Sequence, residues 1–105
     1  MIYEIAELYI QPGAHQAFEA AAAEAVPLFQ RAAGCRAMRL DRTVERPDVY
    51  RLIISWETLE AHTVDFRASA DFQAWRALVG AYFSAPPHVE HTSTVLGGFG
   101  PASAP

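Results

Sequence analysis

Two of the four histidines in this sequence are placed where an imidazole could do chemistry. His62 follows Leu59 by three residues and precedes Phe66 by four, so the three side chains share one face of a helix. His91 alternates with Val89 on a predicted strand and shares its apolar face. Because imidazole titrates near neutral pH, His62 and His91 are the predicted catalytic bases. The alternative for each is a buried neutral histidine that makes one structural hydrogen bond.

Aromatic residues concentrate in one third of the chain, between residues 56 and 83. They could line a pocket for a flat aromatic substrate, although an aromatic stripe on a helix commonly forms part of the core. Trp75 and Tyr82 are the stronger candidates for orienting a ring, because each combines an aromatic face with a polar group. The predicted pocket residues are Trp56, Phe66, Trp75, Tyr82 and Phe83.

A carboxylate on the first predicted strand also needs an explanation. Glu7 lies between Ile5 and Tyr9 on a strand that should be central in the sheet. A buried carboxylate needs a partner, and Arg39 or Arg51 on neighbouring strands could supply one, within the monomer or across a dimer. An interface ion pair explains Glu7 better than catalysis does.

Other motifs with known chemistry are absent from the sequence. There is no Cys-x-x-Cys, no His-Glu-x-x-His and no Gly-x-Gly-x-x-Gly, so we expect no metal and no cofactor. His88 and His91 would lie on opposite faces of a strand and make a poor metal pair. We expect Cys35 to be a small buried hydrophobe and His15, in the first turn of a helix, to be solvated.

Alternating strands and helices must position these residues. Hydrophobic periodicity and turn residues predict the order β-α-β-β-α-α-β. Thr58 and Ser69 are good N-caps for the second and third helices, and Pro27 should kink or break the first. The predicted strands are 2–10, 35–45, 49–57 and 88–96, and the predicted helices are 14–33, 58–69 and 70–83.

This order is that of an α+β, ferredoxin-like fold, with an antiparallel sheet and helices on one face. The first and third strands should be central. The third strand carries apolar residues at Leu52, Ile53 and Ile54, which suggests a strand that is covered on both faces. Helices can cover only one face in so short a chain. The sequence therefore predicts a homodimer in which two sheets pack face to face.

Length and charge narrow the classes of function. The 105 residues fit one domain, which we assign to residues 1–96, followed by a tail at 97–105 that is flexible or lies on a partner. A net charge of −4, with all eight basic residues scattered arginines, argues against nucleic acid. No stretch is apolar enough to span a membrane, and there is no signal peptide pattern. The single cysteine suggests a reducing compartment, so the cytoplasm is the expected location.

Six short motifs follow one another along the sequence in a specific order and spacing. They are Gln11-Pro12-Gly13, Gly34-Cys35, Ser55-Trp56-Glu57-Thr58, Glu60-Ala61-His62, Phe66-Arg67-x-Ser69 and Phe72-x-x-Trp75. Through these motifs the sequence up to about residue 96 resembles the antibiotic biosynthesis monooxygenase domains of the dimeric α/β-barrel superfamily. The resemblance implies a ferredoxin-like monomer paired through its sheets, with a pocket between sheet and helices in each subunit. It also implies an activity, because several members oxidise phenolic polyketides or hydroquinones with dioxygen and without a cofactor.

Another branch of the same superfamily opens haem, and this sequence departs from its pattern. The resemblance implies that this branch needs an Asn on the first strand, together with a Trp and a His on the later helices. There is no Asn in the sequence, and Phe66 and Arg76 align with the other two positions. The resemblance therefore argues against haem degradation.

The resulting hypothesis is a cofactor-independent monooxygenase that acts on a small, electron-rich aromatic substrate with dioxygen. His62 or His91 would be the base, while Trp75 and Tyr82 would orient the ring. One alternative is a non-redox isomerase or lyase on the same fold. Another is a dimeric ligand-binding or stress-response module without turnover.

Overall fold

The computed structural model describes residues 1–101 and has the element order that the sequence predicts. The second of the three predicted helices is a short π-helical segment. The elements are β1 (Ile2–Tyr9), α1 (His15–Gln30), β2 (Cys35–Arg42), β3 (Val49–Trp56), the π-helical segment (Ala61–Phe66), α2 (Ala70–Val79), a 3-10 turn (Gly80–Tyr82) and β4 (His88–Thr92). The α+β, ferredoxin-like fold is confirmed.

The four strands form one antiparallel sheet in the order β2-β3-β1-β4, so the prediction of β1 and β3 as central strands is also confirmed. The register pairs Glu4 on β1 with Ile54 on β3 and with His91 on β4. Directly opposed residues in an antiparallel sheet share a face. The side chains of these three residues therefore point to the same side of the sheet.

The inner face of the sheet packs against the two α-helices and forms the core. Strand β1 contributes Ala6 and Leu8, and Ile10 directly after it continues their alternation with outward-facing residues. The helices bury stripes at spacings of three and four residues, as an amphipathic helix requires. The stripes consist of Phe18, Ala22, Ala25 and Phe29 on α1 and of Trp75 and Val79 on α2.

Strand β3 alternates more cleanly than the sequence suggests. Its inward residues are buried aromatic and aliphatic side chains from Tyr50 to Trp56, whereas Arg51 faces outward and is exposed. The other outward positions are Val49, which is buried, and Ile53 and Ser55, which are half-buried. The outer side of β3 is therefore mixed, with Val49 and Ile53 apolar and Arg51 and Ser55 polar, so the strand is only partly apolar on both faces.

Several element boundaries differ from the predicted ones. Helix α1 continues through Pro27 to Gln30, because a proline near the end of a helix removes one hydrogen bond without ending the helix. Strand β4 ends at Thr92, and Val95 beyond it is 98% exposed. Thr92 pairs with Tyr3, so the residues beyond Thr92 soon run past the start of β1 and have no neighbouring strand.

Gly34 lies between α1 and β2 and has a backbone conformation that favours glycine. Its φ of +81° lies in the left-handed region. A Cβ at this position would lie 2.9 Å from the Cβ of Ala61, and the Gly34 carbonyl accepts a hydrogen bond from the N–H of Glu57 at 2.8 Å. This close approach brings the start of the π-helical segment against the end of α1.

The segment after β4 forms neither helix nor strand as far as residue 101, and the Phe99 side chain is fully exposed. Residues 102–105 of the predicted tail lie outside the described residues. Within residues 1–101, no helix has the length and apolar character needed to cross a membrane.

Candidate functional site

Glu4 and His62 are the two polar side chains buried in the core of the described chain, with exposures of 5% and 3%. Glu4 lies on the inner face of β1, in alternation with Ala6 and Leu8. The Nε1–H of Trp56 donates a hydrogen bond to Glu4 Oε1 at 3.0 Å. The carboxyl is therefore held in place by a neutral donor, without a cation in direct contact.

The π-helical segment places His62 over this carboxyl. Thr58 begins the turn as predicted, because its Oγ1 accepts the N–H of Ala61 at 3.1 Å. The N–H of Arg67 then bonds to the carbonyl of His62, five residues earlier, at 3.2 Å. Such widened turns occur mostly as short insertions and are frequent at functional sites. Leu59 is 41% exposed, so the predicted apolar stripe includes Phe66 but not Leu59.

Glu4, His62 and His91 lie in a row of close polar contacts, which we call the Glu4–His62–His91 chain, and the two histidines are hydrogen-bonded to each other. His62 Nε2 lies 3.2 Å from Glu4 Oε1, and His62 Nδ1 lies 2.8 Å from His91 Nε2. The His62 ring also stacks on Trp56, with 5.3 Å between the ring centroids and 18° between the planes. Neighbouring groups of this chain are 3.2 and 2.8 Å apart, which is within reach for proton transfer between side chains.

Burial sets the protonation of this chain. It raises the pKa of Glu4 to about 7, against the hydrogen bond from Trp56 and the charge of Arg67, which lower it. It lowers the pKa of His62 to about 4, and the charges of Arg67 and His91 act in the same direction. Burial and Arg67 also lower the pKa of His91. Both imidazoles are therefore neutral at pH 7, so the 3.2 Å contact between Glu4 and His62 is not an ion pair.

A cavity of about 960 Å³ opens beside the chain, between the sheet, α2 and the segment that precedes β4. Glu4 and His62 line it, and Trp75 and Phe83, two of the predicted pocket residues, line it as well. Its walls are mostly apolar, as is usual for sites that bind small organic ligands. The polar groups that face it besides these two are Arg67, Gln73, Arg76 and Ser84.

The other three predicted pocket residues lie outside the lining of this cavity. Trp56 is fully buried beneath His62. Phe66 packs in the core against Trp56 and Phe29, with ring centroids 5.4 and 5.0 Å away. Tyr82 is half-buried in the 3-10 turn, where its carbonyl accepts the N–H of Gln11.

Reasoning from sequence missed Glu4 and considered Glu7 instead. Glu7 faces outward, 3.0 Å from Arg46 and 3.6 Å from Arg51, and it accepts a hydrogen bond from Tyr9. Arg51 is one of its two predicted partners, whereas Arg39 pairs with Asp41 instead. The alternation of Glu4 with Ala6, Leu8 and Ile10 was the signal that could have placed Glu4 on the inner face.

A separate polar network lies at the other end of β3. The hydroxyl of Tyr50 donates to Glu19 at 2.5 Å and lies 3.0 Å from His15 Nδ1, and His15 Nε2 lies 2.7 Å from Asp48. The expectation that His15 is solvated was wrong, because these two contacts tie α1 to the start of β3. Burial and the neighbouring Glu19 raise the pKa of Tyr50 to about 12.

Cys35 is half-buried rather than fully buried, and burial raises the pKa of its thiol to about 11. A thiol with a raised pKa is a poor nucleophile at neutral pH. Among residues 1–101, no group of three or more His, Cys, Asp or Glu side chains is arranged to hold a metal ion.

The sequence matches the model of one protein family and one protein of Bacillus subtilis. The model of the antibiotic biosynthesis monooxygenase family matches residues 1–78. The uncharacterized protein YczJ of Bacillus subtilis (strain 168) is 38% identical over 95 residues, which cover 90% of this chain and 100% of YczJ.

Two solved structures extend the comparison. A protein from Bordetella bronchiseptica that is assigned to the antibiotic biosynthesis monooxygenases is 53% identical with a TM-score of 0.89, over 90% of this chain and 97% of its own. SnoaB of Streptomyces nogalater, a cofactor-independent oxygenase solved as a mutant, is 16% identical with a TM-score of 0.75, over 90% and 93%. At that identity the likeness to SnoaB concerns the fold. From the family match, YczJ and the Bordetella bronchiseptica protein, the chain belongs to the antibiotic biosynthesis monooxygenase family.

Proposed function

We propose that this protein is a cofactor-independent monooxygenase that oxidises a small, electron-rich aromatic substrate, such as a hydroquinone or a phenolic polyketide-like ring, with dioxygen. The observation that carries the proposal is the Glu4–His62–His91 chain, whose buried members Glu4 and His62 lie at the wall of a mostly apolar cavity. Membership of the family supports it, as does the shared fold of SnoaB, a cofactor-independent oxygenase.

The chemistry begins with removal of the phenolic proton. Glu4 accepts it, because a base with a pKa near 7 is matched to the working pH, whereas His62 with a pKa of about 4 is too weak a base to act alone. His62 passes the proton to His91, which is partly exposed. The buried histidine thus relays the proton away from the cavity, and the carboxyl is the first acceptor. This differs from the role expected from sequence, in which a histidine is the base.

The substrate anion then supplies the electrons that a cofactor supplies in other oxygenases. It transfers one electron to dioxygen, and the radical pair recombines to form a carbon–oxygen bond. The resulting peroxide anion takes up one proton to become a hydroperoxide. Loss of water then breaks its O–O bond and the C–H bond at the same carbon, so one oxygen atom stays on the ring and the other leaves in water. The largely apolar cavity limits side reactions of these species with solvent.

Oxygen consumption tests this proposal directly. Purified protein in the presence of a chelator, given a panel of hydroquinones, should consume one molecule of dioxygen for each molecule of substrate oxidised. Glu4→Gln should abolish most of the enzymatic rate above the spontaneous oxidation, and Glu7→Gln on the outer face is the matched control. Equal rates with and without the protein across the panel would contradict the proposal.

A second candidate function is proton transfer without oxidation, as in isomerisation of a small metabolite. The observation that favours it is the same chain, because a carboxyl with a pKa of about 7 linked to two neutral imidazoles suits proton transfer to and from carbon. Exchange of a substrate C–H for deuterium from solvent, without oxygen uptake, would distinguish this function from the first.

We also propose that two copies pair through the outer faces of their sheets. Ile5 on β1 and Ile53 on β3 oppose each other at the centre of this face and are half-buried in the monomer. A stable interface of this kind buries on the order of 1,500 Å². Light scattering at micromolar concentration should give twice the 11.5-kDa mass of the chain, and a stable monomer would contradict the proposal.

A further inference from the structure

The arginines of this chain fall into two groups according to their partners. Six of the eight bind an acceptor within the described residues: Arg31 binds Asp71, Arg36 binds Glu57, Arg39 binds Asp41, Arg46 and Arg51 bind Glu7, and Arg42 donates to the carbonyl of Pro47. Over residues 1–101, Arg67 and Arg76 have neither an ion pair nor a side-chain hydrogen bond. Both of these line the cavity beside the Glu4–His62–His91 chain.

The two arginines lie at the exposed side of that cavity, whereas Glu4 lies at its buried side. Arg67 follows the π-helical segment and Arg76 lies in the last turn of α2. The guanidinium carbon of Arg76 lies 5.9 Å from the centre of the Phe72 ring, which also lines the cavity. A charged group and an aromatic face are therefore presented together where a ligand would enter.

The charge of the cavity is opposite to that of the protein. The chain has a net charge of −4, yet the cavity wall carries two guanidiniums and a single carboxyl, Glu4. The wall is therefore net positive whether or not that carboxyl is ionised. A guanidinium binds a carboxylate with two parallel hydrogen bonds, which an uncharged ring substituent cannot match.

We propose that the ligand of this cavity is an aromatic acid whose carboxylate is bound by Arg67 and Arg76 while its ring lies on the apolar wall toward Glu4. This proposal deepens the proposed function and rests on it in one respect, namely that a hydroxyl on the ring is oxidised. The binding of the carboxylate itself requires no turnover.

A redox-inert ligand pair tests the binding. Calorimetric titration at neutral pH and low salt should show that 2-naphthoate binds at least about tenfold more tightly than its neutral methyl ester. Arg67→Gln and Arg76→Gln should each weaken binding of the acid by about tenfold and leave binding of the ester unchanged. Arg39→Gln, which removes a guanidinium on the far edge strand β2, is the control and should change neither. An ester that binds as tightly as the acid, or an acid that is indifferent to both cavity variants, would overturn the proposal.

Turnover separates this proposal from the proposed function. If 2-naphthoate binds as described but no hydroquinone is oxidised, the anion site stands and the oxygenase function fails. If instead unsubstituted hydroquinone is oxidised as fast as 2,5-dihydroxybenzoate, and Arg67→Gln slows neither, the function stands and the anion site is refuted.

Discussion

Glu4 and Glu7 lie on the same strand, three residues apart, and face opposite sides of the sheet. Glu4 is buried beside an indole and a neutral imidazole, and burial raises its pKa to about 7. Glu7 lies beside Arg46, whose hydrogen bond, with that of Tyr9, lowers its pKa. The same side chain on one strand is thus a proton acceptor on the inner face and a permanent anion on the outer face.

The two carboxyls differ in pKa because the two faces of the sheet differ in how well they stabilise a carboxylate. The outer face supplies two guanidiniums and access to water, both of which stabilise a carboxylate. The inner face supplies one neutral hydrogen-bond donor, the Trp56 N–H, and no cation in contact, so ionisation there is unfavourable. A carboxyl whose pKa is near 7 can readily exchange protons at neutral pH. A carboxyl paired with arginine stays ionised and stabilises the fold instead.

The largest expected effect is on catalysis by the inner carboxyl. Glu4→Gln keeps an acceptor for the Trp56 N–H and removes the ionisable group, so the rate should fall by about 10²-fold or more. Glu7→Gln should stay within about twofold of the wild-type rate. Oxygen consumption with a hydroquinone substrate measures both. Similar rates for the two variants would remove the functional distinction between the two faces.

Stability should change in opposite directions in the same two variants. The pKa of Glu4 is raised from 4.5 to about 7, so the folded state binds a proton more tightly than the unfolded state does. The stability contributed by this proton is present below about pH 4.5 and is lost as the pH rises through 7. Glu4→Gln avoids that loss and should be more stable than wild type by about 1–3 kcal/mol at pH 8.

The outer carboxyl has the opposite linkage. The pKa of Glu7 is lowered, so its contribution is present above its unfolded pKa and is lost as the pH falls. Because the ion pairs of Glu7 are largely solvent-accessible, Glu7→Gln should lose only about 0–1 kcal/mol at neutral pH. Urea denaturation of both variants at pH 5 and pH 8 tests the pair. A Glu4→Gln variant that is less stable at pH 8 than wild type would show that Glu4 is ionised and well paired.

A smaller effect on turnover is expected at His91, the partly exposed member of the Glu4–His62–His91 chain. His91→Gln interrupts the path from His62 to the surface and should slow turnover by about tenfold. His88→Gln, three residues away on the opposite face of β4, is the matched control. Added imidazole at high concentration should restore part of the rate of His91→Gln by accepting the proton. A rate deficit that imidazole leaves unchanged would assign His91 a structural role.

Much of the fold could be predicted from local patterns, because local chemistry determines it. Ser69 caps α2 as expected, with its Oγ accepting the N–H of Phe72 at 3.1 Å, and the inward position of His62 follows from its neighbours. The contact between His62 and His91 was beyond sequence reasoning, since it joins residues 29 apart through the register of β4 on β1. The raised pKa of Glu4 depends on how deeply its carboxyl is buried. A sequence pattern indicates which face of the sheet a side chain lies on, but not how deep it lies.

The end of β4 shows why propensity alone fails at a sheet edge. Val95 and Leu96 have the composition of a strand, but they are 98% and 85% exposed because β1 begins at Ile2 and offers them no partner. Register between strands, rather than preference within one strand, decides where pairing stops.

The stacking of Trp56 on His62 gives the site an optical probe of its own. An indole in contact with an imidazole loses fluorescence when that imidazole becomes charged, and these two rings lie nearly parallel at 5.3 Å. Trp75→Phe would leave Trp56 as the single tryptophan, because the sequence contains two. The emission of that variant would then report protonation of His62 as the pH approaches 4.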